Sequence, residues 1–186
     1  MGELWFVTGG ARSGKSRFAE RLAAGTGLPV AYVATMQPLD AELEARVARH
    51  RIERSAAWST VEAPLDLVVA VSDAPSDACV LVDCLSLWVS NRLMPLGDTP
   101  VIADIAALEA VLDADLATLA ACCAGRTAPT ILVTNEVGSS LVPEYPLGRA
   151  YRDLLGRVNQ RASVAASRAW LLVAGRALPL PSANDV

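Results

Sequence analysis

Histidine occurs once in these 186 residues, at position 50, and aromatic side chains make up only 5%. The four cysteines, Cys79, Cys84, Cys122 and Cys123, include no CxxC pair, and His50 is far from all of them in sequence. That pattern excludes a recognisable zinc site and leaves buried or partly buried reduced thiols. There is no excess of positive charge either: 16 basic residues face 20 acidic ones, a net charge of −4. Such a balance supplies no field for a polyphosphate backbone, so no nucleic-acid partner is expected. Mean hydropathy is positive, yet no apolar run approaches the roughly 20 residues that span a bilayer. The opening MGELWFVTGG has no basic n-region, and Phe6 stands where a myristoylation signal needs Ser or Thr. The expectation is one cytoplasmic domain covering residues 1–186, with no membrane span.

Apolar runs alternate with helical patterns along the whole chain. Strands are expected at residues 4–8, 28–34, 58–62, 79–82, 130–134 and 169–174. Helices are expected at 16–24, 40–54, 102–123 and 146–167, and the Pro-rich tail at 178–186 is expected to fray. Alternation of this kind makes an α/β fold, a mostly parallel sheet with helices on both faces. Ligands of such sheets bind at the carboxyl ends of the strands.

After the first strand comes Gly9-Gly10-Ala11-Arg12-Ser13-Gly14-Lys15-Ser16, which fits GxxxxGK[ST] without a mismatch. Glycines let loop N–H groups turn toward phosphate oxygens, and the following helix start adds positive potential. Lys15 then reaches the β- and γ-phosphates and the Ser16 hydroxyl ligates Mg²⁺. Asp83 ends the apolar run Cys79-Val80-Leu81-Val82, where a carboxylate either holds Mg²⁺ or caps a turn.

Arg46, His50 and Arg54 fall on one helical stripe, flanked by Arg49 and Arg51. Spacing alone allows a solvated helix face, or His50 closing a helix C-terminus. The chemical alternative is that the arginines bind a triphosphate and neutral His50 attacks it, since imidazole is nucleophilic near neutral pH.

Several segments together carry a more specific pattern: GGARSGKSRFAE, ARVARHRIERSAAWSTVEAP, VLVDCLSLWVSN, VTNEVGSSLVPEYPLGRAYRDLLGRVNQR and WLLVAG. In order and spacing they resemble the bifunctional adenosylcobinamide kinase / adenosylcobinamide-phosphate guanylyltransferases of cobalamin assembly. The resemblance implies a RecA-like P-loop fold, a homotrimer, and ATP, GTP and Mg²⁺ as substrates and cofactor. It implies phosphorylation of adenosylcobinamide, then transfer of GMP from GTP to the resulting phosphate by way of a histidine at the position of His50. Nucleotide contacts would fall on Gly9 to Ser16, on Ala34, Thr35 and Met36, on Arg51, Ile52, Glu53 and Arg54, and on Glu62 and Asp83. The carboxylate of Glu62 suits guanine, which offers N1–H and N2–H₂ donors. Asn135 and Glu136 stand at the mouth of the same cleft, where they meet the second substrate or simply form a strand-end turn. Ser55, Ser140 and the tail Leu178-Pro179-Leu180-Pro181 depart from the family pattern. Two other readings compete: a plain P-loop small-molecule kinase that forms no covalent nucleotidyl intermediate, and a RecA-like nucleotide switch that binds a protein partner.

Overall fold

A computed structural model describes residues 2–37 and 55–183. Seven strands form one sheet: β1 (Leu4–Gly9), β2 (Val30–Ala34), β3 (Ser59–Glu62), β4 (Cys79–Asp83), β5 (Thr130–Val133), β6 (Arg168–Val173) and β7 (Arg176–Leu180). Their spatial order is β3-β2-β4-β5-β1-β6-β7. The first six run parallel and only β7 is antiparallel, paired with β6. The helices are α1 (Lys15–Gly25), α2 (Leu67–Asp73), α3 (Leu85–Leu93), α4 (Ile102–Gly125) and α5 (Pro146–Ala165), with a 3₁₀ turn at Met94–Leu96.

The central strands are apolar on both sides because both sides are covered. Leu4, Phe6, Val80, Val82 and Leu132 pack in one core with residues of α2, α3, α4 and α5. Val7, Tyr32, Cys79, Leu81, Ile131 and Val133 pack in the other with Ala19 and Ala23 of α1. This is the P-loop α/β architecture the sequence predicts, with helices on both faces. The helix expected at residues 40–54 lies outside the described residues. Two helices, α2 and α3, were not expected; each has only about two turns, too short for a periodic pattern to stand out.

The expected fraying of residues 178–186 is corrected over its first part. Arg176–Leu180 forms β7, with Leu178 opposite Leu171 and Pro179 opposite Trp170. Prolines usually mark a break, but β7 is the outermost strand, where a missing N–H need not interrupt a ladder.

At the amino end of β4 a buried cation ties two connections together, the one from α2 to β4 and the one from α4 to β5. Arg126 is 5% exposed. Its Nη1 donates to Val71 O and Ala74 O, both at 3.1 Å, and its Nη2 donates to Pro75 O and Ala78 O, both at 2.7 Å. The guanidinium thus closes the end of α2 and anchors the start of β5 beside β4. Among the described residues no carboxylate takes part, so the four carbonyls replace its lost hydration. Replacing Arg126→Met strands those carbonyls and should lower unfolding free energy by about 3 kcal/mol or more. Arg126→Lys keeps the charge without the planar fork and should restore only part of this. Urea unfolding of both variants checks it; a Met variant within about 1 kcal/mol of the parent would contradict this role.

Candidate functional site

β1 ends at Gly9, and the chain turns through Gly10, Ala11, Arg12 and Ser13 before α1 begins at Lys15. The backbone here admits little else. A Cβ on Gly9 would lie 2.6 Å from Leu172 O and 2.7 Å from Ser13 Oγ. Gly14, the residue before α1, sits at φ +92°, in the left-handed region that glycine takes without steric cost. Within the loop Ser13 N donates to Gly10 O at 3.2 Å, and Phe18 N donates to Gly14 O at 3.0 Å. Lys15 Nζ donates to Gly10 O at 3.3 Å, which folds the ammonium over the loop. Ser16 is half-buried in the first turn of α1. N–H groups at a helix start, a lysine and a hydroxyl are what a phosphate cradle requires.

Asp83 reaches the same face of the sheet by strand parity. Cys79 and Leu81 of β4 belong to the core under α1, and Asp83 continues that alternation. Tyr32, on the same face of β2, donates its hydroxyl to Asp83 Oδ2 at 2.7 Å. One strand, β5, separates β4 from the P-loop strand: Val133 is in register with both Asp83 and Val7. Beyond it, Thr134 N donates to Val7 O at 3.0 Å and Glu136 N donates to Gly9 O at 3.1 Å. Asn135 therefore sits between the cradle and the end of β4.

Beneath these residues runs a network that local sequence patterns do not reveal. Thr35 Oγ1 donates to Cys84 O and accepts from Cys84 N, both at 2.8 Å. Cys84 Sγ and Ser86 Oγ lie 2.8 Å apart, and Asn135 Nδ2 donates to Ser86 Oγ at 3.1 Å. Tyr151 on α5 donates to Ser86 O at 3.2 Å, and Asn159 Nδ2 donates to Asn135 O at 2.9 Å. Asn91 Nδ2 donates to Thr35 O and Pro64 O at 2.8 and 3.0 Å. Apart from Cys84 and Ser86, two positions apart, the partners lie 24 to 65 positions apart, so no short motif marks Ser86, Asn91, Tyr151 or Asn159.

Of the sequence-predicted residues, the structure brings Gly9 to Ser16, Ala34 and its neighbours, Glu62 and Asp83 to one edge of the sheet. Ala34 is in register with both Glu62 and Asp83. Thr35 is fully buried and its hydroxyl is committed to Cys84. The Glu136 carboxylate accepts from Gly138 N at 2.6 Å and from Ser139 N at 3.3 Å, so it shapes its own loop. His50, Arg51, Ile52, Glu53 and Arg54 lie outside the described residues. Among the described residues no group of three His, Cys, Asp or Glu is placed to hold a metal, and no helix is long and apolar enough to cross a membrane.

The thiols are free and three of them are buried. Burial, helped by the negative charge of Asp83, pushes the Cys84 thiol up to about 11. Burial likewise raises Cys79 to about 11 and raises Cys123. Burial, helped by Cys84, pushes Tyr151 up to about 12. At neutral pH these groups are uncharged hydrogen-bonding partners.

A family model described as cobinamide kinase / cobinamide phosphate guanyltransferase matches residues 5–180. The chain is 46% identical over 173 residues to the bifunctional adenosylcobalamin biosynthesis protein CobU of Salmonella typhimurium, covering 91% of this chain and 94% of that one. It is 43% identical over 175 residues to the bifunctional adenosylcobalamin biosynthesis protein CobP of Pseudomonas aeruginosa, covering 94% and 95%. Among solved structures, that of Project ID PH0250 from Pyrococcus horikoshii superposes with a TM-score of 0.53 at 8% identity, over 98% of this chain and 88% of that one. That last likeness concerns the fold alone.

The thiolate is the reactive form of cysteine. Iodoacetamide at pH 8 should therefore modify half-buried Cys122 and spare Cys79, Cys84 and Cys123 in the folded protein. The Cys84 rate should stay low until the pH approaches about 11. Peptide mapping reads both results, and rapid modification of Cys84 at pH 8 would contradict its placement.

Proposed function

We infer the chemistry of the site from one premise: this chain belongs to the cobinamide kinase / cobinamide phosphate guanyltransferase family. It is a bifunctional enzyme of cobalamin biosynthesis. The observation that supports the kinase step is the placing of the glycine loop and Asp83 on one face of the sheet, one strand apart.

In the kinase step the loop N–H groups and Lys15 hold the triphosphate of ATP or GTP. The substrate hydroxyl of adenosylcobinamide attacks the γ-phosphorus. Its new O–P bond forms as the bond to the β-phosphate oxygen breaks, the hydroxyl proton departs, and the nucleoside diphosphate leaves. Lys15 supplies positive charge where the leaving oxygens gain negative charge. Ser16 and Asp83 are oxygen donors of the kind Mg²⁺ takes, and phosphate oxygens and water complete such a shell. The ion, when bound, neutralises phosphate charge. Tyr32 steadies Asp83 by occupying Oδ2, which keeps the other carboxylate oxygen oriented.

The guanylyl step breaks a different bond. Neutral His50 attacks the α-phosphorus of GTP, the α–β bond breaks and pyrophosphate leaves. The phosphate of adenosylcobinamide-phosphate then attacks the same phosphorus, the N–P bond breaks, and adenosylcobinamide-GDP forms. A covalent intermediate divides one hard displacement into two easier ones. Arg51 and Arg54 provide charge beside the triphosphate, while Ala34 to Met36, Ile52, Glu53 and Glu62 complete the guanosine contacts. These roles rest on the family resemblance and on the chemistry of the residues. So do assembly as a homotrimer, a location in the cytoplasm, and the whole chain as a single kinase/guanylyltransferase domain.

Intact mass after incubation with GTP and Mg²⁺ should show one added GMP, lost at low pH as a phosphoramidate is. His50→Ala should lose the adduct and GMP transfer yet still phosphorylate adenosylcobinamide. A well-folded variant that loses both activities equally would make His50 part of a shared nucleotide site instead. Lys15→Ala should cut kinase turnover by several orders of magnitude, because its charge is worth several kcal/mol in the transition state. Near-normal turnover would place the kinase site elsewhere.

A further inference from the structure

The hairpin that joins β6 to β7 touches the phosphate loop directly. Its turn has two central residues, Ala174 at φ +50° and Gly175 at φ +79°, enclosed by the pair Val173 and Arg176. Two successive left-handed residues make the tight hairpin turn whose twist matches the flanking strands. Gly175 N donates to Ser13 O at 2.9 Å. A Cβ on Gly14 would lie 3.4 Å from Gly175 Cα, so the two glycines meet almost backbone to backbone. One turn of chain earlier, Leu172 of β6 is in register with Gly9 and leaves no room for a side chain there.

The contact has a directional consequence. In a trans peptide the C=O and the following N–H point in opposite directions. Gly175 holds the Ser13 carbonyl on the outer side of the loop. The N–H of Gly14, in the same peptide plane, is thereby aimed inward, where a phosphate oxygen sits in such a cradle. Gly14 itself has almost no steric preference of its own. An outside partner is what fixes the plane before ligand arrives, and preorganised donors bind better than mobile ones.

We propose that the Ala174–Gly175 turn is a positioning device for the phosphate loop, with the Gly175 N–H orienting the Ser13–Gly14 peptide toward the nucleotide triphosphate. The inference rests on the P-loop being the triphosphate site. It assigns the carboxyl-terminal hairpin a function in nucleotide binding, although none of its side chains need reach the nucleotide.

Two variants and one measurement on the unaltered protein test it, with β,γ-imido-ATP and Mg²⁺ as the probe. A β-branched residue cannot hold φ +79°, so Gly175→Val displaces the N–H. Asparagine tolerates that region and keeps the N–H, and nothing lies within 4 Å of a Cβ at this position. Calorimetry should show a Kd raised about tenfold in Gly175→Val and less than about threefold in Gly175→Asn, at equal folded content. By reciprocity, bound probe should slow hydrogen exchange at the Gly175 amide of the unaltered protein by about tenfold or more. An unchanged Kd in folded Gly175→Val, an equal loss in both variants, or exchange at Gly175 that ignores the probe would each overturn the proposal. Failure of the unaltered protein to bind the probe at all would instead remove the P-loop reading on which it stands.

Discussion

Parallel pairing puts the carboxyl ends of six strands on one edge of the sheet, and the chemistry of this chain depends on that alignment. β5 sits between β1 and β4, so the glycine loop and Asp83 are brought to the same level one strand apart. The alternation of side chains then decides the face. Asp83 follows Cys79 and Leu81 onto the side covered by α1, the helix whose start carries Lys15 and Ser16. A one-residue slip of β4 would turn the carboxylate to the opposite face. The fully buried Val80, Val82 and Leu81 resist that slip, because each is committed to a core on its own side.

The edge is held from beneath and from the side. Beneath it, Thr35, Cys84, Ser86, Asn135 and Tyr151 exchange hydrogen bonds in a largely buried region, where such a network fixes backbone position. High thiol and phenol pKa values keep the Cys84 and Tyr151 members neutral, so no unpaired buried anion has to be accommodated at neutral pH. To the side, the hairpin of β6 and β7 closes on Ser13. At the opposite end of β4, Arg126 ties the chain connections by donating to four backbone carbonyls. The site is thus the open end of a sheet whose other end is locked.

What was legible in the sequence is what local chemistry writes locally. Gly9 to Ser16 declare themselves, because each residue of the loop meets a need of its own: tight approach at Gly9, a left-handed turn at Gly14, charge at Lys15. The buried strands β1, β4 and β5 declare themselves by unbroken apolar runs. The floor of the site does not, since Ser86, Asn91, Tyr151 and Asn159 acquire their partners only when distant segments meet. The tail misled for a simpler reason. Leu-Pro-Leu-Pro reads as a stop in isolation, yet on an outer strand the missing N–H groups matter little, and the turn before it is an effective hairpin former. Glu136 shows a limit of another kind: its position at the cleft was predicted, but whether its carboxylate is spent on its own loop is a fact of geometry.

On the proposed reading the loop and Asp83 form one triphosphate–metal site across β5. Mn²⁺ can stand in for Mg²⁺ as a spectroscopic probe of oxygen donors. The direct measurement is Mn²⁺ affinity, by electron paramagnetic resonance, in the presence of saturating β,γ-imido-ATP, for the parent protein and for Asp83→Asn. The parent should form a ternary complex, with Mn²⁺ affinity about tenfold or more weaker in the variant, because one ligand charge is lost. Equal Mn²⁺ affinity in the two folded proteins would contradict it, and would leave Asp83 as a strand-end residue held by Tyr32.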